Sequence, residues 1–368
     1  MNKQIILLPG DGVGKEIMEA AEKVLNTIAS EYGHTFTFQQ QKIGGDAIDY
    51  HGVPLPDNTI TACQEADAIL LGAVGGEKWD TLPAHLRPEK GLLGIRKTLD
   101  LFANLRPVKG FAPLLQASPL KEDVIKGSDI LIIRELTGGL YFGNPSERRA
   151  DGEVVVDTLH YHRDEMERII DKGFQSARLR RNHLTSVDKA NVLESSRMWR
   201  EIVEEKSKDY PDVTVEHLLV DAAAMKLITQ PDRFDTIVTE NLFGDILSDE
   251  ASVLTGSLGM LPSASIRSDG VGLYEPVHGS APDIAGKGVV NPLGMILSVA
   301  LMLRHSFGLQ QEAVEIEEAV NECLEQGYHT PDLRIKDGTQ VSTKEMTDMV
   351  LENLTTKSVC NRISNMYA

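Results

Sequence analysis

The stretch Gln4-Ile5-Ile6-Leu7-Leu8-Pro9-Gly10-Asp11-Gly12-Val13-Gly14-Lys15 decides the fold class. Residues 5–8 form a short, unbroken apolar run, the pattern of a strand covered on both faces. A glycine turn follows, and helical spacing then runs over about residues 15–31. Strand, turn and helix in that order open an α/β unit. The glycines are spaced GxGxG, not GxGxxG, so the turn lacks the usual dinucleotide fingerprint. We read it as a tight turn that shapes a cleft wall rather than a Rossmann-type grip on pyrophosphate.

Working outward, residues 68–71, 130–134, 215–220 and 236–238 repeat the buried-strand pattern, the first ending in Gly72-Ala73-Val74-Gly75-Gly76. Helices are expected at 163–172 and 189–206, and a long helical tail after Pro292. Residues 136–157 differ: they are rich in Gly, Asn and Arg and end in Val154-Val155-Val156, which suggests a protruding hairpin or arm. From Gly256 the chain turns Gly/Pro/Ser-rich, and no internal repeat or low-complexity linker is evident.

A chain of 368 residues suffices for two domains or one large α/β unit. No apolar run approaches the ~20 residues that span a bilayer, and the N-terminal run is too short for a secretory segment. Cys63, Cys323 and Cys360 are far apart and form neither a metal spacing nor a disulfide framework, which fits a reducing cytoplasm. The net charge of −18 argues against nucleic acid and anionic membrane as partners. A small anionic substrate then requires a local cluster of arginines.

The chain offers such a cluster. Arg96 and Arg106 bracket Leu99-Asp100-Leu101-Phe102, and Arg134 closes the run Ile132-Ile133. Guanidinium forks bind carboxylates bidentately, although each arginine alone is more often a surface or ion-pair residue. In Asn241-Leu242-Phe243-Gly244-Asp245-Ile246-Leu247-Ser248-Asp249 two acids stand four apart, on one face of a helix. Such pairs are usually solvated, but their oxygens suit Mg²⁺ or Mn²⁺. Tyr141 lies in a glycine-rich loop and can donate a proton. Lys189 is expected at a helix N-terminus, where the macrodipole favours its neutral, basic form. Asp221 is expected at the end of the 215–220 strand, where α/β folds place functional groups. One Lys, one Tyr, three Arg and three Asp suit metal-assisted oxidation of a hydroxy dicarboxylate.

The chain resembles the β-decarboxylating isocitrate/isopropylmalate dehydrogenases, almost end to end. The resemblance rests on Leu8-Pro9-Gly10-Asp11-Gly12-Val13-Gly14, Asp100-Leu101-Phe102-Ala103-Asn104-Leu105-Arg106-Pro107, Arg134-Glu135-Leu136-Thr137-Gly138-Gly139, Asp188-Lys189-Ala190-Asn191, the 241–249 segment and His278-Gly279-Ser280-Ala281-Pro282-Asp283. It implies a two-domain α/β fold without a usual Rossmann unit. One domain would hold residues 1–101 plus 257–368, the other 102–256, with a dimerisation arm near 136–160. It implies NAD-dependent oxidative decarboxylation of 3-isopropylmalate, in leucine biosynthesis, by a homodimer with shared sites. Arg96, Arg106 and Arg134 would bind the carboxylates. Asp245 and Asp249 would hold Mg²⁺ or Mn²⁺ together with a second copy's Asp221, and a second copy's Lys189 would serve as base. Tyr141 would protonate the enolate left by CO₂. Gly75, Gly76, Glu89, His278, Gly279, Ser280, Ala281, Asp283, Ile284 and Asn291 would line the cofactor site.

Within the family, Leu92 and Leu93 read as an apolar slot for an isopropyl group, where the third carboxylate of isocitrate would be desolvated. Lys90 beside them leaves open a broader malate or tartrate activity. Asp283 would accept hydrogen bonds from the adenosine ribose and repel a 2′-phosphate, which favours NAD. Lys15 and Glu77 depart from the prolines many relatives carry. A non-catalytic regulatory chain would have lost Lys189, Tyr141 or a metal acid, and all are present.

Overall fold

The computed structural model describes residues 1–333 and 335–366, with side chains to residue 356. The chain divides into two compact units: Met1–Leu99, Phe111–Pro119 and Thr255–Ala368 form the first, Asp100–Gly110 and Leu120–Leu254 the second. The first leg of unit 1 runs β1 (Asn2–Gly10), α1 (Gly14–Tyr32), β2 (Thr35–Gln40), α2 (Gly44–His51), α3 (Asp57–Glu65), β3 (Ala68–Ala73) and α4 (Glu89–Thr98). Unit 2 runs β4 (Ala103–Lys109), α5 (Glu122–Ile125), β5 (Asp129–Glu135), β6 (Ser146–Arg149), β7 (Val154–Asp157), α6 (Arg163–Arg178), β8 (His183–Asp188), α7 (Glu194–Ser207), β9 (Thr214–Leu219), α8 (Val220–Thr229), β10 (Thr236–Thr239) and α9 (Asn241–Ala251). The return to unit 1 adds β11 (Pro262–Ile266), β12 (Gly272–Pro276), α10 (Leu293–His305), α11 (Gln310–Glu325) and α12 (Thr343–Met366).

In unit 1 the strand order is β2-β1-β3-β12-β11, parallel except for the β12–β11 pair. The opening apolar run pairs in register with β3, Leu8 opposite Leu71. The glycine turn after it is dictated by close backbone approach. A Cβ on Gly10 would lie 2.0 Å from the Ala73 carbonyl oxygen, and one on Gly12 2.0 Å from that of Ser280. Val13 N–H also donates to the Ser280 oxygen, at 2.9 Å. Helix α1 buries Ile17, Ala21, Val24, Leu25 and Ile28 at helical spacing and stops at Gly33, which takes the left-handed conformation that ends helices. Helix α10 is buried from Leu293 through Leu303, so the helical tail expected after Pro292 begins inside the core.

Unit 2 has the order β4-β5-β10-β8-β9, with only β4–β5 antiparallel. The two units are thus mixed α/β, as read from the sequence. The 136–157 region contains an exposed antiparallel hairpin, β6 with β7, whose Val154 and Val155 face solvent.

Four local expectations are corrected. The Gly/Pro/Ser-rich region after Gly256 contains two fully buried strands, β11 and β12; β11 consists largely of small residues and is held by its pairing with β12, which buries Leu273 and Tyr274. Helix α6 runs to Arg178, beyond 172. The 215–220 strand ends at Leu219 and is only partly buried, as an edge strand; Val220 and Asp221 open α8 instead. Helix α7 starts at Glu194, not at Lys189. There the Asp188 carboxylate accepts the Ala190 N–H at 2.8 Å, and the Lys189 carbonyl accepts the N–H groups of Val192 and Leu193. This local side-chain turn outcompetes helix over residues 189–193.

Candidate active site

Unit 2 gathers most of the expected groups at α9. The preceding Glu240 caps the helix by accepting the Phe243 N–H at 2.8 Å. Asp245 and Asp249 then share a face, because one guanidinium reaches both: Arg106 Nη2 lies 3.5 Å from Asp245 and Nη1 3.3 Å from Asp249. Arg106 is held on β4 by Asn104, at 2.8 Å, and Ser248, at 2.5 Å. Arg134, 3% exposed, points its Nε and Nη2 at the Asn241 Oδ1, at 3.1 and 2.9 Å, and its Nη1 at Asp245. Tyr141 donates to the other oxygen of Asp245 at 2.6 Å, beneath the Arg134 guanidinium.

Burial and the Asp245 carboxylate push the Tyr141 phenol up to about 12, so it stays a neutral proton donor at physiological pH. The surrounding chain desolvates Asp249 and raises its carboxyl; Arg106 opposes that shift and Asp245 adds to it. Two carboxylates facing one another over an arginine form a donor set of hard oxygens, the chemistry Mg²⁺ or Mn²⁺ selects. Among the described residues no three His, Cys, Asp or Glu side chains gather around one point.

Asp221 and Lys189 sit apart from that cluster in their own pair, at 2.5 Å. The Lys189 ammonium lowers the Asp221 carboxyl. The helix-dipole argument for Lys189 fails, since the macrodipole acts within the first turn and α7 begins five residues later. Its backbone is fixed instead by Ser196, whose hydroxyl accepts the Lys189 N–H at 3.0 Å.

In unit 1, α4 carries Leu92, Leu93 and Arg96 at i, i+1 and i+4, so both leucines adjoin the arginine on the helix surface. The leucines are half-buried. Arg96 is buried and donates to Glu275 at 2.7 Å, while its Nε has no hydrogen-bond partner. Lys90 is exposed. Gly75 and Gly76 take positive φ, and a Cβ on Gly75 would stand 3.0 Å from Glu89. Asp11 fixes this loop, accepting the N–H groups of Gly75, Gly45 and Asp46, each at 2.8 Å.

A cavity of about 540 Å³ in unit 1 brings together His278, Gly279, Ala281, Ile284 and Asn291 with Leu258, Val289, Val290 and Asp332. Burial lowers the His278 pKa, its Nδ1 meets the Gly279 carbonyl at 2.9 Å, and its Nε2 is buried with no partner. An apolar concavity with an orphaned ring nitrogen fits a flat heteroaromatic base such as adenine. Ser280 and Asp283 do not line it: Ser280 is turned to the glycine turn through its carbonyl, and Asp283 is exposed. Sequence reasoning missed Asp11, Glu240, Glu275 and Asp332. Each acts on a partner distant in sequence, as with Arg96 and Glu275, 179 residues apart.

The model of the isocitrate/isopropylmalate dehydrogenase family matches residues 4–350. The chain belongs to that family. It is 72% identical over 367 residues to a 3-isopropylmalate dehydrogenase of Oceanobacillus iheyensis, covering 100% of both chains. It is 62% identical to that of Heyndrickxia coagulans, over 99% of this chain and 100% of the relative. Among solved structures it is similar to an isocitrate dehydrogenase of Methylococcus capsulatus, with 35% identity, a TM-score of 0.85 and coverage of 96% and 99%. No helix among the described residues is long and apolar enough to cross a membrane.

Proposed function

We propose that this family member catalyses NAD-dependent oxidative decarboxylation of (2R,3S)-3-isopropylmalate to 4-methyl-2-oxopentanoate. The observation that supports the reading is the cluster in which two buried guanidiniums, Arg106 and Arg134, and the neutral phenol of Tyr141 gather on the α9 acids Asp245 and Asp249. When bound, NAD supplies the two-electron oxidant, and Mg²⁺ or Mn²⁺ supplies Lewis-acid stabilisation of the oxygen at C2. Arg96, Arg106 and Arg134 take the two carboxylates, since only rigid, permanently charged forks suit buried bidentate binding. Asp245 and Asp249 hold the divalent ion.

Lys189 receives the proton of the C2 hydroxyl. It and Asp221 are offered together, as the pair they already form, to the site of a second copy, so the active species is a homodimer. Once C2 is a ketone, the carboxylate β to it leaves as CO₂ and its bonding electrons become the enolate. Tyr141 then gives its proton to the former C3 carbanion centre. Leu92 and Leu93 receive the isopropyl group, whose burial stabilises by on the order of 1.5–3 kcal/mol. Lys90, beside them, is exposed. His278, Gly279, Ala281, Ile284 and Asn291 seat the adenosine half of NAD. Gly75, Gly76 and Glu89 serve its nicotinamide side, Ser280 shapes the turn beside it, and Asp283 accepts from the ribose hydroxyls.

The test is NADH formation from isopropylmalate, isocitrate, malate and tartrate, with and without Mg²⁺. Isopropylmalate should give the highest kcat/KM and require the ion. A better substrate among the other three would overturn the assignment.

A further inference from the structure

The Tyr141–Asp245 contact joins two separate pieces of chain, the Gly138–Tyr141 turn after β5 and helix α9. Something must fix one against the other, and Tyr161 touches both. Its hydroxyl donates to Glu240 at 3.0 Å and accepts the N–H of Asn241, the first residue of α9, at 2.9 Å. Its ring lies against the turn: a Cβ on Gly138 would stand 2.6 Å from Tyr161 Cδ1, and one on Gly139 2.5 Å from its Oη. Asn241 completes the junction. Its amide donates to the Gly138 carbonyl at 3.0 Å while its Oδ1 accepts from Arg134.

We propose that Tyr161 is a positioning residue that holds the proton donor Tyr141 on Asp245 by clamping the start of α9 to the glycine turn. The proposal rests on the reading that Tyr141 and Asp245 act in the reaction. Tyr161 itself touches no reacting group. Without its hydroxyl, Glu240 loses one donor and the Asn241 N–H its acceptor, and the Asn241 side-chain amide is left to tie α9 to the Gly138 carbonyl. Buried groups left unpaired in this way drive the local structure to rearrange.

The test is Y161F, which keeps the ring and removes one oxygen. A displacement of about 1 Å at Tyr141 lowers kcat by about 10- to 100-fold, with KM for NAD unchanged. The loss should be non-additive with Y141F: in a Y141F background, Y161F should lower kcat by less than about threefold. A purely structural role would give the same loss in both backgrounds. A crystal structure of Y161F reads the clamp without any substrate, and Tyr141 Oη should no longer lie within hydrogen-bonding distance of Asp245. Wild-type kcat, full additivity, or an unmoved Tyr141–Asp245 contact each overturns the proposal. Absence of isopropylmalate oxidation by the wild type would instead overturn the functional reading and leave the crystallographic test standing. If Y161F does not fold, E240Q carries the same three readouts. It turns one of the two acceptor oxygens into an NH₂, so either the Phe243 N–H or the Tyr161 hydroxyl loses its present acceptor, with an expected loss of about 3- to 10-fold.

Discussion

Replacing Gly244 by alanine sets two effects of opposite sign against each other. In an ordinary helix interior the change stabilises by about 1 kcal/mol, because alanine is the better helix former. In α9 the added Cβ would lie 2.6 Å from Cγ and 2.7 Å from Cβ of Arg134. Ordinary contact begins near 3.4 Å, so 3.4 − 2.6 leaves about 0.8 Å to be found. The clash is with the near end of the side chain, which cannot swing aside without moving the guanidinium. That guanidinium bonds Asn241 twice and Asp245 once. Disturbing these buried bonds together with the overpacking costs about 3–5 kcal/mol. The net is a loss of about 2–4 kcal/mol, and at about 2–4 °C per kcal/mol the melting temperature falls by roughly 4–16 °C. The assay is thermal unfolding of G244A, R134G and the double variant, with kcat/KM for isopropylmalate measured in parallel. G244A should lose about 10- to 100-fold in kcat/KM as Arg134 shifts. In the R134G background both Cγ and Cβ of residue 134 are gone, and G244A should be neutral or stabilising by up to about 1 kcal/mol. A G244A protein as stable as wild type, or a penalty that persists without Arg134, would refute the reasoning.

Two further outcomes follow from the same geometry. Because burial and Asp245 hold Tyr141 near a pKa of about 12, its phenol stays protonated far above neutrality. Y141F should therefore lower kcat by about 10²- to 10⁴-fold without removing any alkaline limb of the kcat–pH profile below pH 10; disappearance of such a limb would show that Tyr141 titrates there. Separately, inactive K189M and D245N chains, mixed and re-paired at random, should regain about a quarter of wild-type activity, since half the dimers are mixed and each carries one complete site. No recovery would place Lys189 and Asp245 in the same chain's site.

Much of the fold could be read from local patterns, and the failures share a physical cause. The β1 run and the GxGxG spacing foretold an α/β unit with a constrained turn, and the turn's glycines are indeed needed for close backbone approach to Ala73 and Ser280. The 241–249 helix was legible from period alone. Apolar Val220 extended the 215–219 run by one residue, because a buried strand and the first turn of a helix look alike in periodicity. Residues 189–193 have the composition of a helix start, yet the Asp188 side chain captures the Ala190 N–H and holds a turn. β11 escaped notice because Pro-Ser-Ala-Ser-Ile has no strand signature and is buried through its pairing with β12. At the candidate site the arginines and acids could be picked out by type. The groups that aim them could not, since Glu275, Glu240, Tyr161 and Asn104 become meaningful only once folding places them against Arg96, α9 and Arg106.

The central claim is that one site both oxidises and decarboxylates isopropylmalate, and product stoichiometry tests it most directly. With purified protein, Mg²⁺, NAD and (2R,3S)-3-isopropylmalate, NADH, CO₂ and 4-methyl-2-oxopentanoate should appear in equal amounts and at equal rates. NADH without matching CO₂, or no NADH from isopropylmalate under these conditions, would contradict the account.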